Sequence, residues 1–594
     1  MNRPHTSAYR PAYLTRRRRA VRWGVIAALA LAAGLAVLVG RWYWLRRSLA
    51  WQAQRGLLLL TAADSPQKLR LALDRWETET GSYWHDRREQ FTAYLFDKLP
   101  LHDPRVRLLL TRVAGADYGA RRADWQRWYE ARRRLRHGLA PDVSRQEAVR
   151  MELLWVAPVG LTSWFSTVLV VDGDLYVASL GAAFNDARDV ADGVVRVNGV
   201  DGASEVFFSP PATHRGPRDV VGLAVADAGL AVACYNGSVY SVDTQGALRW
   251  STHVGDPIVG GPLCADVNRD GATDVIVATR GGKVAALSGR GGRTLWAAGI
   301  TKAARHDQAL GATLALGRLG ERGDPDLIVS FPDGALAIVS PRNGQLRWRE
   351  ELAVGVVSGA VVLDSVARRA QRAGAGGNPT AFVADRAANV WSLEPSAGGW
   401  QVVHWQALAL RPEETLVAGL RTMGLNRPAA TPGPWLLACP TGEYAAGWGG
   451  LCALSPGQVQ WRLPVDGAVW GPPAVGDLNG DGMSEIVLGT VQPTGEDGLA
   501  GAVWVISSQG HCLVRQLLDA PIETGPVLAD VDRDGLLEIV VADQSGRLHC
   551  FKTRGFGPVE WGMPGGDSHN TRNAANAYAY GQLPPGYQWS WRPD

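Results

Sequence analysis

Asp530-Val531-Asp532-Arg533-Asp534-Gly535-Leu536-Leu537-Glu538 carries side-chain oxygens at positions 1, 3, 5 and 9 of a nine-residue loop, with glycine at position 6. A hard cation such as Ca²⁺ takes roughly six to eight oxygen ligands, and a tight turn that sends alternate side chains inward supplies them. Apolar runs flank the loop, Val527-Leu528-Ala529 before it and Ile539-Val540-Val541-Ala542 after it. The same pattern recurs as Asp477-Leu478-Asn479-Gly480-Asp481-Gly482-Met483-Ser484-Glu485 and as Asp266-Val267-Asn268-Arg269-Asp270-Gly271-Ala272-Thr273-Asp274. One such stretch is an ordinary acidic turn between strands. Three copies at one place in a repeating pattern are better explained by a bound cation, and calcium is the expected cofactor. Its expected ligands are the side chains of Asp266, Asn268, Asp270, Asp274, Asp477, Asn479, Asp481, Glu485, Asp530, Asp532, Asp534 and Glu538. The carbonyls of Ala272, Met483 and Leu536 would complete the three shells. The expected role is structural, because a cation neutralises clustered carboxylates that otherwise repel one another.

Outward from these loops the chain repeats. Residues 256–298 show one unit: Pro262-Leu263-Cys264-Ala265, the acidic loop, Val275-Ile276-Val277-Ala278, a glycine turn, Val284-Ala285-Ala286-Leu287, another glycine turn, then Thr294-Leu295-Trp296. The aromatic end of the unit falls at Trp155, Phe207, Trp250, Trp296, Trp348, Trp405, Trp461, near Gln516, and at Trp561, which leaves eight intervals of about 43–57 residues. Four short strands per interval, repeated radially, is the pattern of a β-propeller. The expected fold is therefore all-β over 155–563, with eight blades, or seven if the poorly matched units are discounted. Leu154-Trp155-Val156-Ala157-Pro158 reads as a last strand without a blade before it. Ring closure is expected, with residues near 155 or near 561 completing the final blade.

Val171-Asp172-Gly173-Asp174-Leu175-Tyr176-Val177, Asn236 to Asp243, and Gly246-Ala247-Leu248-Arg249-Trp250 resemble PQQ-type propeller repeats. The units with acidic loops resemble the FG-GAP or VCBS repeats of integrin alpha chains and bacterial surface proteins, where this loop joins the first two strands of a blade and binds calcium. Trp561 to Thr571 resembles a segment found at the end of such propellers. The resemblance implies architecture more than function, since propellers serve adhesion, scaffolding and catalysis alike. It does not carry PQQ with it. Quinoprotein dehydrogenases cover that cofactor with adjacent cysteines, and the six here, Cys234, Cys264, Cys439, Cys452, Cys512 and Cys550, are all apart.

The first part of the chain differs in kind. Trp23 to Gly40 is eighteen residues without a charge, and Trp42 to Leu45 extend it to bilayer length. Arg16 to Arg19 and Arg22 precede it, so 1–22 is expected to be a cytoplasmic tail, 23–45 a transmembrane signal anchor, and the rest periplasmic or extracellular. Residues 48–150 show helix-start signals at Ser65-Pro66 and Asp103-Pro104 and almost no strand signal. Asp103 to Arg107 and Gly115 to Trp128 resemble HEAT-type helical repeats, and a helical neck is expected. The last residues, 564–594, read as an irregular tail. Residues 1–55 hold eleven arginines and no acid, and 56–150 add a basic excess of five, so the remainder is acidic, near −12. That balance speaks against nucleic acid as a partner of the main domain. No nucleophile elbow, metalloprotease helix or P-loop is present. The expected function is a membrane-anchored, calcium-stabilised scaffold with a protein partner on one propeller face. Adhesion or glycan binding, and a polysaccharide-active or quinoprotein-like enzyme, are the alternatives.

Overall fold

A computed structural model describes residues 48–61, parts of 68–130, and 149–581 with breaks, the longest at 185–191, 302–311, 363–380 and 424–434. The expected basic tail 1–22 and membrane span 23–45 lie outside the described residues. Among the described residues no helix is long and apolar enough to cross a membrane. The chain forms two compact units, 1–113 and 114–594.

In the first unit, helices Leu49–Thr61, Arg88–Lys98 and Pro104–Ala114 surround Trp76, Phe91, Leu95, Phe96 and Leu109. The Trp76 indole donates to Gln52 O at 2.8 Å and its ring stacks on Phe91. Gly56 makes the close approach possible, since a Cβ there would stand 2.6 Å from Leu109 Cδ2. Much of 115–148, which holds the tryptophan-rich part of the HEAT-like pattern, lies outside the described residues.

The second unit is a ring of eight antiparallel sheets. Blades 1 to 7 span 168–208, 220–253, 263–299, 313–351, 361–407, 415–466 and 474–518; blade 8 spans 527–552 and is completed by Glu152–Pro158. Blade 3 shows why the sequence folds this way. Its second strand, Asp274–Ala278, is buried at every residue, whereas its outermost, Thr294–Gly299, is buried only at Trp296. Inner strands are covered on both faces by neighbouring blades and so read as continuous apolar runs, while the rim strand has one face in water.

At four junctions the recurring tryptophan fastens a blade to the next. Trp155, Trp250, Trp296 and Trp461 sit on outermost strands and donate their indole N–H to Gly199 O, Gly289 O, Pro341 O and Ser508 O of the following blade at 2.7–3.0 Å. Each ring lies flat on a left-handed glycine of the same turn, Gly202, Gly292, Gly344 or Gly510. A Cβ on Gly292 would stand 2.5 Å from the Trp250 ring, so the position excludes any side chain. The first of these contacts also closes the ring, because Trp155 enters the chain before blade 1 yet pairs in register with Cys550 of blade 8.

The ninth aromatic mark, Trp561, is corrected by the structure. It belongs to no outer strand. Val559–Trp561 pairs with the innermost strand of blade 7, and from there the chain runs inside the ring. Gly562 O accepts Leu528 N of blade 8, Ser568 O accepts Val225 N of blade 2, and His569 O accepts Cys264 N of blade 3. Thr571 O accepts Leu316 N of blade 4, and Arg572 O accepts Val362 N of blade 5. Blade 6 reaches the segment through the Arg421 guanidinium on Pro564 O, and blade 1 through Val170 O, which accepts the Tyr580 hydroxyl. Of the stretch expected to be an irregular tail, 564–573 therefore threads the channel and Ala574–Gly581 forms a helix, while 582–594 lie outside the described residues. The physical reason is edge satisfaction. Inner strands present unpaired N–H and C=O groups to the axis, and an irregular, polar segment can satisfy eight differently oriented edges where a regular strand cannot. All six cysteines are free thiols, and Ala438 stands opposite Cys452.

Candidate functional site

The three acidic loops each join the first and second strands of a blade, in blades 3, 7 and 8. Strand direction alternates within a blade, so all three open on one face of the ring. Their backbones share one design. Position 4 is left-handed in each, at Arg269 (φ 64°), Gly480 (75°) and Arg533 (61°), and Gly271 and Gly535 at position 6 are left-handed as well. The position 9 carboxylate accepts the position 2 amide: Asp274 from Val267 at 3.2 Å, Glu485 from Leu478 at 2.8 Å, Glu538 from Val531 at 2.9 Å. The position 5 carboxylate accepts the amides of Ala272, Met483 and Leu536. Asp266 and Asp530 accept the position 6 glycine amide, and Asp477 accepts that of Gly480. These bonds hold the side chains of positions 1, 5 and 9 at the concave side of each turn.

The loops differ in what remains to be neutralised. In blade 8, ligand oxygens of Asp530, Asp532 and Glu538 lie within 4.8 Å of one another. Glu538 is fully buried, and its Oε1 has no hydrogen-bond partner. Burial, with the charges of Asp532 and Asp530, pushes its carboxyl up to about 9. The Lys552 ammonium contacts Asp532 and Asp534 at 2.5 and 2.7 Å. Lys552 stands directly opposite Glu538 in the sheet, so blade 8 supplies one positive charge of its own. In blade 7, Asp477 and Glu485 are both buried, and burial with the charges of Asp477 and Asp481 drives Glu485 well above the usual carboxylate range. The Asn479 amide points its Nδ2 at both Asp481 and Glu485. In blade 3, Asp274 is buried, but both its oxygens accept backbone amides, from Gly289, Val267 and Asn268. Asn268 bonds Asp270, which is exposed and paired with Arg290. The donor sets of blades 7 and 8 fit a divalent oxygen-loving ion best; that of blade 3 is already largely satisfied by the protein.

Loops between second and third strands, and those linking one blade to the next, open on the opposite face. There an unbroken chain of aromatic rings runs Tyr444, Trp470, Trp164, Phe165, Phe184, Tyr235, with successive centroids 5.3–5.6 Å apart. Phe184 is 47% exposed and the other five are half-buried. Beside it lies Glu523, buried, its Oε1 held by Gln544, and burial raises its carboxyl to about 7. Sequence reasoning did not find this arc. Its members come from loops of blades 6, 7, 1 and 2, and only Trp164-Phe165 are adjacent in the chain.

Residues 212–398, within blades 2 to 5, match the family model described as outer membrane protein assembly factor BamB. The ring is an eight-bladed propeller, and its matched part carries PQQ/BamB-type repeats. Among solved structures it is similar to BamB from Moraxella catarrhalis, at 13% identity over 68% of this chain and 100% of that one, with a TM-score of 0.42. It is also similar to Saccharomyces cerevisiae Sqt1 (9% identity, 67% and 99%, TM-score 0.46) and to quinohemoprotein alcohol dehydrogenase from Comamonas testosteroni (12% identity, 68% and 76%, TM-score 0.44). No match is found among curated proteins.

Proposed function

We propose that this chain is a membrane-anchored, exported scaffold. Its propeller docks a protein partner on the aromatic face, and calcium braces the opposite face through FG-GAP-like loops. The observation that carries the reading is the threaded channel. A ring of this kind offers its axis as the natural pocket for a small substrate or cofactor. Here residues 558–573 bond to the inner strands along that axis, so recognition falls to the outer surface. On that surface the aromatic arc has the composition that dominates protein interfaces: rigid rings, half-buried, flanked by polar groups such as Gln544 and Arg280. Residues 23–45 serve as the anchor in this reading, with the propeller outside the cytoplasm. Calcium would be held by the carboxylates of blades 7 and 8 and would offset their mutual repulsion.

The test places a photo-crosslinking residue at Phe184, in full-length protein in its native cells, and the same residue at Arg290 on the opposite rim. A discrete protein adduct from position 184 alone supports the reading. Equal labelling from both positions, or none from 184, refutes it. Retention on a glycan array by the wild type, lost in Trp164→Ala, would replace the protein partner by a glycan.

A further inference from the structure

Inside the ring, in blade 6, two arginines meet without a counter-charge among the described residues. Arg421 begins an innermost strand and is fully buried. Its guanidinium lies over the Trp561 ring at 4.8 Å, and its Nη1 and Nη2 donate to Leu420 O and Pro564 O at 2.7 and 2.6 Å. Its Nε is left without an acceptor, as is the Trp561 indole N–H beneath it. Arg572 comes from the channel segment, where a left-handed backbone (φ 49°) and bonds to Gly565 and Val362 fix its place. The two Nη1 atoms stand 3.2 and 3.8 Å from the point where a Cβ of Gly419 would lie, so the guanidiniums are close neighbours. Neither forms an ion pair among the described residues. Arg572 keeps some accessible surface.

Arginine cannot shed its proton in a protein, and an isolated charge taken out of water is strongly disfavoured. Two such charges side by side add repulsion to the lost hydration. The arrangement is therefore incomplete as it stands, and the group it lacks is a hydrogen-bond acceptor that carries negative charge. We propose that Arg421, Arg572 and the space beside Gly419 form an internal binding site for a small oxyanion, a carboxylate or a phosphate-type group. A guanidinium offers a planar fork of N–H donors that matches both chemistries. The glycine keeps the space between the forks open, and the Trp561 indole N–H adds a further donor. The anion would lock the channel segment to blade 6, because Arg421 belongs to the blade and Arg572 to the segment. The site is independent of the acidic loops and of the docking reading.

The experiment follows thermal unfolding of the full-length chain in detergent, in calcium-free buffer. Sodium phosphate and sodium acetate are titrated against sodium chloride at equal ionic strength. The expected result is a saturable rise in Tm with phosphate, acetate or both, beyond that in chloride. Response to one probe alone assigns the anion to that chemistry; response to both assigns a general oxyanion site. Arg572→Gln should weaken the half-saturating concentration at least tenfold, and Arg572→Lys less. Gly419→Ala keeps both charges and fills the space, so it carries the test if Arg572→Gln does not fold; it should lose the response. A wild type that responds to neither probe beyond chloride overturns the proposal, as does an unchanged response in Gly419→Ala.

Discussion

Replacing Glu538 by glutamine should stabilise the metal-free protein, and most of that advantage should disappear when calcium is added. In the metal-free protein this carboxyl sits with an unpartnered oxygen among Asp530 and Asp532, and is pushed to about 9 from an ordinary 4.5. A carboxyl whose folded pKa is raised binds a proton more tightly folded than unfolded. Its contribution is fully present below about 4.5 and is lost as pH rises toward 9. Each pH unit in that window costs at most about 1.4 kcal/mol. At pH 7.5, three units into the window, wild type has lost up to about 4 kcal/mol that glutamine, being neutral, does not lose. The glutamine oxygen can still accept the Val531 amide, and its NH₂ can donate to the neighbouring carboxylates. Glu538→Gln should therefore be more stable than wild type without metal, by about 1–4 kcal/mol. With calcium at 100 times its dissociation constant, a wild-type site gains about 2.7 kcal/mol, most of which the variant forfeits. The assay is urea unfolding at pH 7.5, followed by tryptophan fluorescence, with chelator and with calcium. A variant less stable than wild type in chelator, or a wild type indifferent to calcium, refutes the reasoning.

Asn570→Ala removes an amide that bridges Leu223 O and Pro262 O, at 2.7 and 2.8 Å, and places alanine at φ 56°. The expected loss is about 2–4 kcal/mol, whereas Asn570→Gly keeps the backbone relaxed and should lose less; equal losses in urea unfolding would contradict the strain term. Trp155→Ala should cost about 3–5 kcal/mol and loosen ring closure, while Trp155→Phe should cost about 1 kcal/mol for the indole bond to Gly199, both read from urea midpoints. Deleting 558–594 strips acceptors from the inner edges of most blades and should abolish cooperative unfolding and protease resistance; a truncated chain as resistant as the full one would contradict the channel assignment. With Glu523 raised to about 7 by burial, wild type should lose stability between about pH 4.5 and 7, and Glu523→Gln should show a flatter pH profile over that window.

Much of this protein can be read along the chain, because its interactions repeat. Trp155, Trp250, Trp296 and Trp461 recur at blade spacing since each does the same local task, capping a glycine turn in the next blade. The acidic loops announce themselves for a similar reason: their oxygens lie within nine residues, and the left-handed positions 4 and 6 fall on glycine or are imposed by the turn itself. What spacing could not resolve is where a strand-like segment goes once the ring exists. Trp561 has the flanking pattern of the other aromatic ends, yet it lies inside, because the strand that would have been its neighbour is supplied by residues 152–158. The channel path of 558–573, the meeting of Arg421 with Arg572, and the aromatic arc from Tyr444 to Tyr235 join residues up to several hundred positions apart. Periodicity carries no information about such contacts. They exist only because closure brings eight inner edges to one axis and eight sets of loops to one face.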